Sequence, residues 1–154
     1  MNYDLQAIRQ LRETLLNLTA ELSLEQLNHV PQGFNNNIIW NMAHVIAAQQ
    51  GICYLRTGQK MRIDSTLHAQ YKPGSKPEGD VDAEFVTTIR GLLLSTIDDL
   101  EQDLAAGIFQ TYEQVVTRYG VPITNIEEGI NFLKFHEGFH MGYVAALKRT
   151  VGQL

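Results

Sequence analysis

Thr124-Asn125-Ile126-Glu127-Glu128-Gly129-Ile130-Asn131-Phe132-Leu133-Lys134-Phe135-His136-Glu137-Gly138-Phe139-His140-Met141-Gly142-Tyr143-Val144 is the stretch that decides the fold. Thr124 followed by Glu127 has the form of a capping box, and Glu127 and Glu128 suit the positive end of a helix. Lys148 and Arg149 suit its far end, and Gly152 can stop it. Ile130, Leu133, His136, His140, Tyr143 or Val144, and Leu147 recur at three- and four-residue spacing, the stripe by which a helix packs on a core. Two of those inward positions are histidines.

The rest of the chain repeats the helical pattern. Leu5, Ile8, Leu11, Leu15, Leu18 and Leu22 form one amphipathic stripe, and Ser23 with Gln26 forms a second capping box. Pro31 and Gly33 interrupt it. The asparagines at 35 to 37 then offer an N-cap, predicting a helix over residues 36–57 that stops at Gly58. Its inward stripe is Trp40, His44, Ala47 or Ala48, Gly51 and Leu55. A third long helix is predicted over 82–106, striped by Phe85, Ile89, Leu92, Leu93, Thr96, Leu100 and Leu104, with Gly107 ending it. Between Gly58 and Val81 lies a long connection containing Lys72-Pro73-Gly74-Ser75-Lys76-Pro77, which cannot be regular helix. A helical turn is expected around Thr66 to Gln70. The segment from Thr111 to Val121 reads as irregular or a short helix. Four long helical patterns without convincing strands predict an all-α fold, a four-helix bundle with a long crossover loop, in one domain spanning residues 1–154.

Composition narrows the function. The chain is 44% hydrophobic and 19% charged, which excludes disorder. A net charge of −5 without a basic run argues against nucleic acid as a partner. No apolar run is long enough for a membrane span. Met1-Asn2-Tyr3-Asp4 shows no secretory signal, so the expected location is cytoplasmic. Cys53 is the only cysteine and sits among apolar neighbours, so it reads as an inert buried thiol in a reducing compartment.

His136 and His140 are four residues apart, so a helix sets both imidazoles on one face. Zinc binds imidazole nitrogen at about 2.0–2.1 Å, close enough for one ion to join the pair. The third ligand has to come from another helix, and His44 is the candidate because its stripe points it into the same interior. A three-histidine site leaves coordination positions open for water or substrate. Taken singly, each histidine has a plainer reading as a neutral core residue. Buried together without a shared partner, however, their polar nitrogens would go unsatisfied. His29 and His68 lie in or near turns and read as solvent-exposed. His136-Glu137-Gly138-Phe139-His140 also fits the H-E-x-x-H pattern of zinc metalloproteases. That reading fails here, because few residues follow His140 to supply a third ligand and no strand is available to hold a peptide. Glu137 lies about 100° round the helix from His136 and reads as a solvent-facing or dimer-facing carboxylate.

Two blocks together resemble a known family. Phe34-Asn35-Asn36-Asn37-Ile38-Ile39-Trp40-Asn41-Met42-Ala43-His44 is similar to the second helix of the DinB-like superfamily. Phe135 to Tyr143, followed by Leu147-Lys148-Arg149, is similar to its last-helix motif. The resemblance implies a four-helix bundle in which His44, His136 and His140 hold a divalent metal, often zinc or nickel, and it implies a homodimer. Members include thiol S-transferases that use a low-molecular-weight thiol as co-substrate, and metal-dependent hydrolases. Many members carry Gln three residues after the last His, where this chain has Tyr143, whose hydroxyl can donate a hydrogen bond.

Three readings follow from the sequence. The first is a metal-dependent enzyme acting on a small molecule in a cavity at the bundle end, with Tyr143 orienting the nucleophile or leaving group. The second is a non-catalytic metal-binding bundle, favoured by the few carboxylates on the inner faces. The third is a metal-free dimerisation module.

Overall fold

A computed structural model of the chain describes residues 5–152. The segment Met1 to Asp4, read above for a secretory signal, lies outside the described residues. The helices are α1 (Gln6–Leu18), α2 (Leu24–Asn28), α3 (Ile38–Cys53), α4 (Ser65–Tyr71), α5 (Ala83–Ala105) and α6 (Ile126–Val151). A 3-10 turn, Leu55–Thr57, extends α3. The strands β1 (Val115–Val116) and β2 (Pro122–Ile123) form a small antiparallel hairpin.

The helix ends follow local side-chain chemistry. Asn37 caps α3 by accepting from the Trp40 backbone N–H at 2.8 Å, and Asp82 caps α5 by accepting from Phe85 N–H at 2.8 Å. The Ser23–Gln26 box forms as expected, with both reciprocal bonds present. The box read at Thr124 is displaced by one residue. Asn125 caps α6 by accepting from Glu128 N–H at 2.9 Å, and the Glu128 carboxylate accepts from Thr124 N–H at 2.7 Å. Gly58 and Gly107, at φ +69° and +67°, take the left-handed conformation that ends the α3 extension and α5. The segment expected to be irregular or helical is instead the hairpin. Val115 and Val116 favour extended backbone, and Pro122 opens the returning strand at a position that tolerates a missing N–H.

The side-chain bonds fix the topology. Gln49 of α3 and Tyr54, which caps its end, bond in order to Thr96 and Asp103 of α5, so these two helices run parallel. Arg12 of α1 meets Glu137 of α6, and Leu18 meets Lys148, so α1 and α6 are parallel as well. In contrast, Arg9 pairs with Asp98 while Thr19 takes a bond from Arg90, which makes α1 antiparallel to α5. The 58–82 connection is therefore a crossover that carries the chain back along the bundle before α5 begins. Arg62 ties its start to Asp103, and a reciprocal pair of bonds between Asn28 and Val81, both 2.9 Å, ties its end.

Helix α3 is central. Every residue from Ile38 to Gln50 is buried, so the single inward stripe expected for it is replaced by burial all round. α5 and α6 pack along it and α2 and α4 cover the remainder. Leu55 leaves the stripe and is 45% exposed, because the chain departs from the helix at Tyr54.

The apolar core has two parts. One contains Leu15, Ile39, Met42, Ile46, Leu93 and Val144, and the other Ile8, Cys53, Ile97, Leu100 and Leu133. Arg12 lies on the buried stripe of α1 between them, fully enclosed. Its guanidinium donates to Glu137 Oε1 from Nε at 3.0 Å and from Nη2 at 2.6 Å. It also donates to Leu93 O and Thr96 Oγ1, both at 2.9 Å, and to Val45 O at 3.3 Å. All five of its N–H donors are used. A charged layer in a dry core costs several kcal/mol of desolvation per ion, and this saturation is what offsets it.

Candidate metal centre

His44 stands on α3, and His136 and His140 stand one turn apart on α6. The antiparallel packing of these two helices brings all three together. One nitrogen from each lies within 4.8 Å of the others, and all three residues are buried. His44 Nε2 and His136 Nε2 are 3.2 Å apart. Two nitrogens bound to one tetrahedral ion at about 2.0–2.1 Å would be about 3.3 Å apart. The donor set therefore has the chemistry and spacing to hold a divalent ion.

Two of the three outer nitrogens are held as a metal site requires. His44 Nδ1–H donates to the carbonyl of Tyr71 at 2.7 Å, which leaves Nε2 unprotonated toward the cluster. His140 Nδ1–H donates to Asn41 Oδ1 at 2.7 Å. The orientation of Asn41 is fixed because its amide nitrogen donates to Asn37 O and Asn36 Oδ1, at 2.7 and 2.9 Å. The Trp40 ring stacks on His44, 4.5 Å between centroids and 11° from parallel. His136 Nδ1 is the exception, buried with no hydrogen-bond partner among the described residues.

Burial, and then the charges of neighbouring groups, hold the imidazoles neutral. Burial first, followed by His140 and His44, pushes His136 down to about 2. Burial followed by His44 pushes His140 down to about 3. Burial also lowers His44, opposed in part by its bond to Tyr71. Neutral imidazole is the form that ligates a metal.

The histidines open into a cavity of about 800 Å³. It does not lie at the bundle end as the sequence reading had it. It runs along the α3–α6 groove, from Asn35 to Arg56, because the crossover and the hairpin both fold over that groove. Lys72, Pro73, Gly74 and Ser75 line it from the crossover, and Val115 to Tyr119 line it from the hairpin. Tyr143, half-buried, also lines it, edge-on to Phe34 at 5.6 Å. His68, read as exposed, is half-buried on the wall, since α4 packs on α3 and brings its ring close to Gly51. His29 is exposed as expected.

Glu137 contradicts its sequence reading. It is 2% exposed and faces Arg12 rather than solvent or a partner. The buried face of α6 is wide enough to take in positions 136, 137 and 140, so His136 lines the cavity and its neighbour enters the core. The carboxylate of the H-E-x-x-H pattern is thus turned away from the cavity. Arg12 was overlooked for the same reason, since a charged residue on a leucine stripe reads as a flank. Its signal was its spacing, four residues from Ile8 and three from Leu15. Cys53 is buried, and burial pushes its thiol up to about 12, so it is inert as expected.

Among the described residues no helix is long and apolar enough to cross a membrane. No curated protein matches the chain. The all-helical bundle and its paired histidine helices agree with a family model for the DinB superfamily that matches residues 7–144, and the chain belongs to that superfamily.

Proposed function

We propose that this chain is a metal-dependent enzyme acting on a small molecule, with His44, His136 and His140 holding one divalent ion, zinc or nickel. The observation that carries this reading is three buried neutral imidazoles converging beside a cavity, with one nitrogen of each within 4.8 Å of the others. An ion held there would supply Lewis acidity, making a water or a thiol nucleophilic near neutral pH. The chain's own residues do the rest. Tyr71 O and Asn41 hold two ligands in the tautomer that offers Nε2. Trp40 and Phe132 exclude water from one wall. The Tyr143 hydroxyl donates a hydrogen bond that orients the nucleophile or the leaving group.

The cavity is of a size that encloses a small molecule. The family resemblance favours transfer of a low-molecular-weight thiol to an electrophilic carbon over hydrolysis. The test is a screen of zinc- and nickel-loaded protein with cysteine or glutathione and 1-chloro-2,4-dinitrobenzene, beside 4-nitrophenyl ester hydrolysis. Turnover that vanishes in His136→Ala supports the reading. Full metal occupancy with no turnover in either assay favours the non-catalytic bundle. That second reading draws support from Glu113, the one carboxylate lining the cavity among the described residues, which is already paired with Arg56 at 3.3 Å.

The homodimer belongs to the same proposal. Val116, Tyr119, Phe135 and Phe139 are exposed together on one side of the hairpin and α6, with Tyr119 against Phe135 at 5.3 Å. A patch of this kind suits a self-association surface. Light scattering at micromolar concentration should give twice the chain mass, and a monomer for Phe135→Glu. A wild-type monomer would refute it.

A further inference from the structure

The cavity's charge is opposite in sign to that of the chain. The chain carries a net charge of −5, yet among the described residues the charged ones lining the cavity are Arg56, Lys72 and Arg118 against Glu113 alone. Arg56 is neutralised by Glu113, which also donates its backbone N–H to Arg56 O at 2.6 Å, a tie that fastens the hairpin arm to the end of α3. Lys72 and Arg118 have no carboxylate partner among the described residues. They come from the two segments that cover the groove, Lys72 from the crossover and Arg118 from the hairpin. Arg118 is near enough that its charge disfavours protonation of all three histidines.

The crossover side has a built geometry. Lys72-Pro73-Gly74-Ser75 forms a turn in which Ser75 N–H donates to Lys72 O at 3.1 Å and Gly74 sits at φ +89°. That is the pattern of a type II turn, with Pro and Gly in their favoured positions. It sets Lys72 and Ser75 side by side on the cavity wall. The Ser75 hydroxyl is buried there with no hydrogen-bond partner among the described residues, although buried hydroxyls are normally satisfied. Two cations without a carboxylate partner, one of them 5.2 Å over the Tyr119 ring, and an unsatisfied hydroxyl lining the same cavity are the parts of an anion site. The same lining includes the aromatic rings of Trp40, Phe132 and Phe139.

We propose that Lys72, Ser75 and Arg118 form an anion-recognition site at the cavity mouth, so that the molecule bound beside the histidines carries a carboxylate or phosphate on an apolar or aromatic body. This deepens the functional reading above, because it names the substrate class of the same cavity. The anion site itself does not depend on an ion being bound.

Titration calorimetry of the full chain, zinc-loaded and metal-free, with 2-naphthoate, 2-naphthyl phosphate and neutral 2-naphthamide tests it. Both anions, or one of them, should bind in either metal state, at least tenfold more tightly than the amide. Their affinity should fall when NaCl is raised from 50 to 500 mM. It should also fall at least tenfold in Lys72→Gln/Arg118→Gln, and severalfold in Ser75→Ala, with circular dichroism unchanged. The tighter of the two anions assigns the group as carboxylate or phosphate. Equal binding of the amide, undiminished binding to the double variant, or no binding of either anion at millimolar concentration would overturn the proposal. Anion binding that appears only with zinc and is lost in His44→Ala would also overturn it, since the ion would then be the anion's partner. Zinc content measured on the same samples separates this outcome from failure of the metal reading.

Discussion

His136 and Glu137 are adjacent on one helix and both buried, but they belong to two opposite kinds of polar cluster. Glu137 meets a guanidinium whose five donors are all used. His136 meets two other imidazoles, and one of its own nitrogens has no partner. The first cluster is complete with protein atoms alone and ties α1, α3, α5 and α6 together. The second brings three imidazoles together beside a cavity, the arrangement that a shared cation would suit. A buried polar group that the protein satisfies reads as structure, and one that it leaves open beside a cavity reads as a site.

If this distinction holds, the two clusters respond oppositely to substitution. Glu137→Ala strands a buried guanidinium and should cost about 3–5 kcal/mol, read as a lower urea midpoint. Replacing both Arg12 and Glu137 with leucine should restore more than half of that loss. His136→Leu, measured in metal-free protein, should be neutral or stabilising, because it removes an orphaned polar atom. A loss of several kcal/mol there, matching the loss from Glu137→Ala, would erase the comparison.

Acidification separates the clusters next. An unfolded histidine protonates near pH 6.5, whereas His136 and His140 resist protonation down to about 2 and about 3, and His44 is also lowered. Between those limits the unfolded chain binds more protons, so stability should fall as pH drops below 6.5. Each strongly shifted histidine contributes about 2 kcal/mol of this loss by pH 5. Thermal melts of metal-free protein from pH 7.5 to 5 should show the decline, and bound zinc should delay it. A flat profile across that range would contradict the neutral cluster.

Smaller effects test the supporting shell. Asn41→Ala removes the partner of His140 Nδ1 and should weaken zinc about 10–100-fold, measured by competition with a chromophoric chelator. Tyr143→Phe should leave zinc affinity unchanged and lower only turnover. A drop in metal affinity for that variant would place Tyr143 among the ligands instead.

The histidine cluster was legible in the sequence because it rests on local periodicity. Four-residue spacing places His136 and His140 on one face, and the stripe shared with Trp40 points His44 inward. Helix ends marked by the asparagines at 35 to 37, Gly58, Asp82 and Gly107 were legible for the same reason. The Arg12–Glu137 layer was not, because each residue has an ordinary surface reading and only the fold brings them together. The site's cover was also beyond local reading. Where the crossover lies depends on α3 and α5 running parallel, and the hairpin depends on a pairing of two residues on each strand. Lys72, Ser75 and Arg118 therefore looked like loop residues until both segments were seen over one groove.

The central claim is that the three histidines form one metal site, and zinc stoichiometry tests it most directly. Untagged protein, stripped and then titrated with zinc, should bind about one ion per chain by elemental analysis after desalting. His44→Ala, His136→Ala and His140→Ala should each lose it while keeping their helical spectrum. A wild-type chain that retains no zinc or nickel after reconstitution, or a His136→Ala variant that retains a full equivalent, would contradict the account.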